Sequence, residues 1–215
     1  MERINFFRPD YVLVSFITLI IAYIIRKIYT KNIRIRTTTD LPRNYLNLQI
    51  TGIVTSVSDG DGFKLFHTPF LRSSQHKSSD QKLNIRLAGI DAPETRYFNT
   101  PQQPFAAEAK EFLGRLLLNK TVKIKILGID RYNRILAVVF LGGFCNRVNV
   151  NLRLIEEGYA CVYIGRDGVY GEYKEKMIDA QKEAQKKKKG MWSLSNVVLP
   201  MDHKKAFKNK KKAIK

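Results

Sequence analysis

Four carboxylates stand in two short segments of the chain. Asp59 and Asp61 flank Gly60 in D-G-D, and Asp91 and Glu94 belong to R-L-A-G-I-D-A-P-E-T, Arg86 to Thr95. A hard divalent cation needs several oxygen ligands close together, some of them charged. Two aspartates from neighbouring loops, a backbone carbonyl and waters would supply that set. Pro93 blocks helix continuation, so Asp91 and Glu94 sit on a bent loop rather than on one helical face. A carboxylate beside a metal, without necessarily binding it, is suited to taking a proton from water. Two arginines complete the set. Arg86 lies five residues before Asp91, and Arg134 closes Asp130-Arg131-Tyr132-Asn133-Arg134. Attack on a phosphodiester builds negative charge on the phosphoryl oxygens. A planar guanidinium suits that charge because it stays protonated and donates two parallel hydrogen bonds.

Each fragment alone also has an ordinary reading. D-G-D is a common hairpin turn, D-A-P-E-T a plain loop, and the arginines surface charges. Taken alone, each leans to that ordinary reading. The formal net charge of +19 points to polyanions, either nucleic acid or an anionic membrane surface. Eleven lysines and one acid, Asp202, lie between Lys186 and Lys215. Much of the charge therefore belongs to a tail expected to be solvated, either as a solubilising end or as a binding segment. The 44% hydrophobic content suffices for a core. Cys145 and Cys161 form no C-x-x-C pair, and His67, His76 and His203 keep no metal-ligand spacing. Two buried thiols are expected, rather than zinc or a disulfide framework.

The elements that must position these residues follow from periodicity. Leu48 to Val57 is rich in β-branched residues, D-G-D-G is turn chemistry, and Phe63 to Phe66 alternates again, so a hairpin is expected. His67 to Gln81 is a polar loop and Lys82 to Ile90 a third strand. Phe105, Ala109, Phe112, Leu113 and Leu116 recur at helical spacing, with Pro104 suited to the first turn. Thr121 to Leu127 and Arg134 to Leu141 read as further strands. A short helix over Asn151 to Glu157 closes at Gly158. A longer one from Gly171 carries Tyr173, Met177, Ala180 and Ala184 on one stripe and ends near Gly190, and Trp192 is expected to pack back on the sheet. This is an α+β domain. A small closed sheet of the OB type fits, although periodicity does not prove closure.

Tyr11 to Ile25 carries no charge. As a helix it spans roughly 22 Å, and Arg26 and Lys27 extend it by snorkelling towards the ~30 Å of a bilayer core. No A-x-A-like cleavage site follows, which favours an uncleaved anchor over a signal peptide. Two basic residues precede the run (Arg3, Arg8) and five follow it (Arg26, Lys27, Lys31, Arg34, Arg36), so the C-terminal bulk is expected on the side of synthesis. The chain divides into an N-terminal flank (1–10), a transmembrane anchor (11–28), a linker (29–47), a catalytic-type domain (48–194) and a Lys-rich tail (195–215).

D-G-D, R-L-x-G-I-D-A-P-E-T, D-R-Y-x-R, an E-G-Y-A segment and a Lys/Ala helix ending in G-M-W occur in the order of the thermonuclease (staphylococcal-nuclease-like) family. The resemblance covers roughly Leu48 to Ser193. With its anchor the chain looks most like the fungal membrane-anchored mitochondrial endonucleases. The resemblance implies a five-stranded OB-type barrel with three helices and a Ca2+-dependent endonuclease acting on DNA, RNA or both. Asp61 and Asp91 match the calcium ligands, Ala92 the position that ligates through its backbone carbonyl, and Asp59 an outer-shell carboxylate. Glu94 matches the general base, and Arg86 and Arg134 the arginines that grip the phosphate. Tyr132 matches a tyrosine near the nucleotide phosphate, and Tyr163 is a stacking candidate, with Tyr170 or Tyr173 as alternatives. Gly62 stands where the family has threonine, which is expected to loosen the metal loop, and the 67–81 loop is long enough to cover part of the mouth. The rival reading is a non-catalytic, membrane-tethered nucleic-acid-binding module of the same fold. A further one is a tether whose basic tail binds anionic lipid.

Overall fold

A computed structural model of the chain describes residues 9–71, 81–95, 101–143 and 146–213. Most of the N-terminal flank, the middle of the 67–81 loop with His76, and Cys145 lie outside these residues.

Helix α1 runs from Pro9 to Lys31, and its Tyr11–Thr30 stretch has a mean hydropathy of 2.0 with none of it buried against the rest of the chain. Its 23 residues span about 35 Å at ~1.5 Å each, beyond the ~30 Å of a bilayer core. The helix is longer than the uncharged run because it continues through Arg26 and Lys27.

The stretch after α1 is bound to the barrel rather than left free. Asn32 bridges the two parts: its Nδ2 donates to Ile28 O at 2.9 Å, and its Oδ1 accepts from the Leu71 amide at 2.8 Å. Ile35 is buried, and its amide donates to His67 Nδ1 at 2.9 Å. Burial, with Arg34 nearby, pushes His67 down to about 4, so its imidazole stays neutral and able to accept. Leu41 and Tyr45 pack against the core.

Five strands make the barrel: β1 (Gln49–Val57), β2 (Gly62–His67), β3 (Leu83–Leu87), β5 (Thr121–Ile129) and β6 (Ile135–Leu141). Strand β1 pairs antiparallel with β2 and with β5, β2 pairs with β3, and β5 pairs with β6. Closure comes from a parallel pairing of β3 with β6, in which Arg86 faces Leu136. Alternating side chains, among them Val54, Leu65, Ile85, Leu87, Ile124, Ile126 and Val139, fill the interior. Two-residue strands border it. β4 (Ile90–Asp91) pairs with β8 (Cys161–Val162), and β7 (Val148–Asn149) extends β6.

Three helices cover the barrel: α2 (Ala106–Leu117), α3 (Val150–Glu156) and α4 (Lys174–Lys186). α2 buries Ala106, Ala109, Leu113 and Leu117. The Asn149 side chain caps α3 by accepting from the Leu152 amide. Gly158 ends that turn at φ +71, and a Cβ there would lie 2.1 Å from Lys189 O, so only glycine fits. Trp192 is half-buried. The chain does not leave the domain there. It continues into a fifth helix, α5 (Pro200–Ala213), where the sequence suggested a solvated tail.

Candidate functional site

The D-G-D turn is pressed against the Asp91 loop because Gly60 has no side chain. A Cβ on Gly60 would lie 2.7 Å from Ala92 Cβ and 2.9 Å from Ala109 Cβ. The turn is also tied to β3, since the Leu87 amide donates to Asp61 O at 2.9 Å. At Gly62 a Cβ would meet Asp59 Oδ1 at 2.7 Å. The space a larger residue would need is taken by the Asp59 carboxylate, which accepts from the Asp61 amide at 3.3 Å. Gly62 therefore lets Asp59 fold back over the turn rather than simply loosening it.

Asp91 is placed by β4. It pairs with Cys161, whose thiol donates to Asp91 O at 3.4 Å. Burial first, and then the Asp91 charge, pushes that thiol up to about 12, so it stays a protonated, unreactive donor. Arg86 reaches from β3 into the gap between the aspartates. Its guanidinium lies 3.1 Å from Asp61 Oδ2 and 2.8 Å from Asp91 Oδ1. It is therefore a largely buried link between two acids, not a solvated strand residue. Burial alone would lower the Arg86 pKa, but Asp61 and Asp91 outweigh it and hold the pKa above its ordinary value.

Arg86, with a smaller contribution from the Lys204 ammonium, does not offset the burial of Asp61. Asp61 is almost wholly buried, and burial drives its carboxyl up to about 7; Arg86 opposes this, and Asp59 and Asp91 reinforce it. Asp91 Oδ2 is buried with no hydrogen-bond partner. A buried acid short of positive charge, beside an unpartnered carboxylate oxygen, suits a divalent cation. Among the described residues no three His, Cys, Asp or Glu side chains gather in one metal-holding group. A cation here would rest on Asp61 and Asp91, with a backbone oxygen such as that of Ala92 and water completing the set.

Asp59, Arg86, Asp91, Glu94, Tyr132, Arg134 and Tyr163 line one cleft of about 790 Å³, whereas Asp61 and Ala92 are buried outside that lining. Of the three candidate stacking tyrosines, Tyr163 alone lines it. The Tyr170 hydroxyl donates to Tyr163 O, and the Tyr173 ring packs edge-on against Phe140 at 6.1 Å. Tyr132 is exposed between Arg131 and Arg134, whose guanidinium carbons lie 5.0 and 5.4 Å from its ring centroid.

Three more residues position this set, and of them the sequence marks only Asp130, as the first residue of D-R-Y-x-R. Asp130 Oδ1 accepts from the amides of Tyr132 and Arg134, each at 2.9 Å, while Oδ2 holds Arg134 NH2 at 2.7 Å. Burial would raise the Asp130 carboxyl, yet the Arg134 bonds bring it below its ordinary value. Asn151 is fully buried. Its Oδ1 accepts from the Val139 amide at 3.0 Å, and its Nδ2 donates to Ala88 O at 2.9 Å, tying the exit of β3 to β6. Gln103 Oε1 accepts from the Glu94 amide at 2.8 Å. For Asn151 and Gln103 the only sequence signals are a polar residue just inside an apolar helix and a glutamine just before one.

Comparison with known proteins fits this arrangement. Residues 84–194 match the family model described as staphylococcal nuclease homologue. A probable endonuclease, LCL3, of Komagataella phaffii is 32% identical over 82% of this chain and 84% of its own length. A probable endonuclease of Schizosaccharomyces pombe, C19F8.04c, is 38% identical over 80% and 85%. The endonuclease Htp3 of Saprolegnia parasitica is 34% identical over 80% and 84%. With its closed five-stranded barrel, the chain belongs to the staphylococcal nuclease homologue family.

Proposed function

We propose that this protein is a membrane-anchored, calcium-dependent endonuclease that hydrolyses phosphodiester bonds of DNA, RNA or both. The observation that carries the reading is the convergence of Asp61 and Asp91 on Arg86 at the end of a cleft that also holds Glu94 and Arg134. Names of relatives that include the word endonuclease support it.

Asp61, Asp91 and the Ala92 carbonyl are the proposed calcium ligands, with Asp59 in an outer position. When bound, the ion supplies positive charge facing the scissile phosphate. Glu94, partly exposed on its bent loop, takes the proton from the attacking water. Arg86 and Arg134 donate to the phosphoryl oxygens as charge grows on them. Both guanidiniums are oriented by carboxylates, Arg86 by Asp61 and Asp91 and Arg134 by Asp130. Tyr132 and Tyr163 are the proposed contacts to nucleotide. The α1 helix is the proposed anchor, since Tyr11–Thr30 is apolar and long enough to cross a bilayer. A mitochondrial membrane is the location suggested by the resemblance to anchored fungal endonucleases.

The test is cleavage of single- and double-stranded DNA and of RNA by the purified protein, in calcium and in chelator. Cleavage that stops in chelator supports the reading. Full cleavage in chelator removes calcium from it. Binding without turnover under any divalent cation transfers the argument to the nucleic-acid-binding module.

A further inference from the structure

The C-terminal helix α5 lies against the carboxylates of the cleft. Lys204 Nζ is 2.9 Å from Asp91 Oδ1 and 2.6 Å from Glu94 Oε1. The same Asp91 oxygen takes the Arg86 guanidinium at 2.8 Å. A single carboxylate oxygen thus faces two cations, while its partner Oδ2 is buried without a hydrogen bond.

A second contact is independent of charge. Gln103 is buried. Its Nε2 donates to Val198 O at 3.2 Å, two residues before α5 begins, while its Oε1 accepts from the Glu94 amide. The Gln103 amide also donates to Glu94 O at 2.9 Å. One side chain therefore joins the Glu94 loop to the segment that leads into α5. As a helix, α5 has little stability of its own. It is 14 residues long with one acid, Asp202, and its lysine-rich sequence repeats like charges at helical spacing. An isolated helix of that length is marginal in water, and like charges four residues apart weaken it further.

We propose that α5 is a latch on the candidate calcium site, in which the Lys204 ammonium and a divalent cation compete for Asp91 and Glu94. Docking of α5 excludes the cation, and entry of the cation releases α5. The inference rests on the reading of Asp61 and Asp91 as calcium ligands. Its physical basis is charge: with Arg86 already between the aspartates, an ammonium and a divalent ion within contact distance of the same oxygens repel each other strongly. By linkage, the factor by which Lys204 weakens calcium binding is the factor by which calcium weakens docking. A latch closed in about 90% of molecules lowers apparent calcium affinity about tenfold.

The test uses the full-length protein in phosphatidylcholine nanodiscs. Calcium binding is measured by calorimetry, and amide hydrogen exchange is followed across residues 200–206. Lys204→Met should bind calcium about tenfold more tightly than wild type. Lys205→Met should bind as wild type does, because Lys205 sits on the same helix and pairs with Asp202. Exchange in α5 should accelerate when calcium is added to wild type, and it should already be fast in Lys204→Met without calcium. Equal calcium affinity in Lys204→Met and wild type overturns the latch and leaves the calcium site standing. An equal gain in Lys205→Met also overturns it, by reducing the effect to bulk charge. If neither wild type nor Lys204→Met binds calcium, the calcium reading itself fails and takes the latch with it.

Discussion

Replacing Asp61 by asparagine preserves the side-chain volume and removes a charge that the fold holds at a cost. Burial, only partly offset by Arg86, raises the Asp61 carboxyl from 3.8 to about 7. The unfolded chain therefore loses this proton before the folded chain does. Below about pH 4 both states are protonated, and the group does not affect stability. As pH rises to about 7 the folded state is progressively penalised, and above it the cost is complete. With ~1.4 kcal/mol for each pKa unit, a rise of this size costs on the order of a few kcal/mol. Asparagine behaves as the permanently protonated acid. In chelator, Asp61→Asn should match wild type near pH 4 and exceed its stability by on the order of a few kcal/mol near pH 8. The gap should open between those limits. Urea unfolding of both proteins in detergent across that range measures it. Calcium should narrow the gap, because a ligand that binds only the native state stabilises wild type and has lost a ligating group in the variant. Equal stabilities near pH 8, or a less stable variant, would mean that Arg86 fully neutralises Asp61, and the case for a missing cation would fall with that result.

Two other substitutions separate positioning from chemistry. Asn151→Ala orphans the buried Val139 amide and Ala88 carbonyl, and should cost about 2–4 kcal/mol in chemical unfolding; a loss under about 0.5 kcal/mol would mean water replaces the amide there. Asp130→Asn keeps an oxygen for the two turn amides but removes the charge that holds Arg134, so kcat should fall about tenfold or more while the melting temperature barely moves; unchanged kcat would detach Arg134 from the reaction.

The parts of the site that were legible in the sequence are those whose geometry is local. D-G-D announces a tight turn, and Pro93 announces a bent loop. The order of motifs along the chain carries the barrel, whose strands alternate clearly from Ile50 to Val139. Periodicity alone does not give closure, because the parallel pairing of Ile85 with Ile135 joins two segments fifty residues apart; the motif order gives it through the family resemblance. The role of Arg86 as a buried link was hidden for the same reason: a strand residue shows its face by alternation but not which acids cross to meet it. The lysine run after Lys186 reads as solvent-facing because charge favours water by default. Only the folded chain brings Lys204 to Asp91 and Glu94, across a separation of 113 residues from Asp91. The segment from Thr37 to Tyr45 has a linker's composition, yet the single buried Ile35 and the neutral His67 attach what precedes it to the barrel.

The central claim is that Glu94 is the base in a calcium-dependent hydrolysis supported by Arg86 and Arg134. Single-turnover cleavage by Glu94→Gln, with nucleic-acid binding measured separately, tests it most directly. The account predicts a rate lower by ~10²–10⁴-fold in calcium, with nucleic-acid affinity close to that of wild type. Cleavage by Glu94→Gln at the wild-type rate would contradict it.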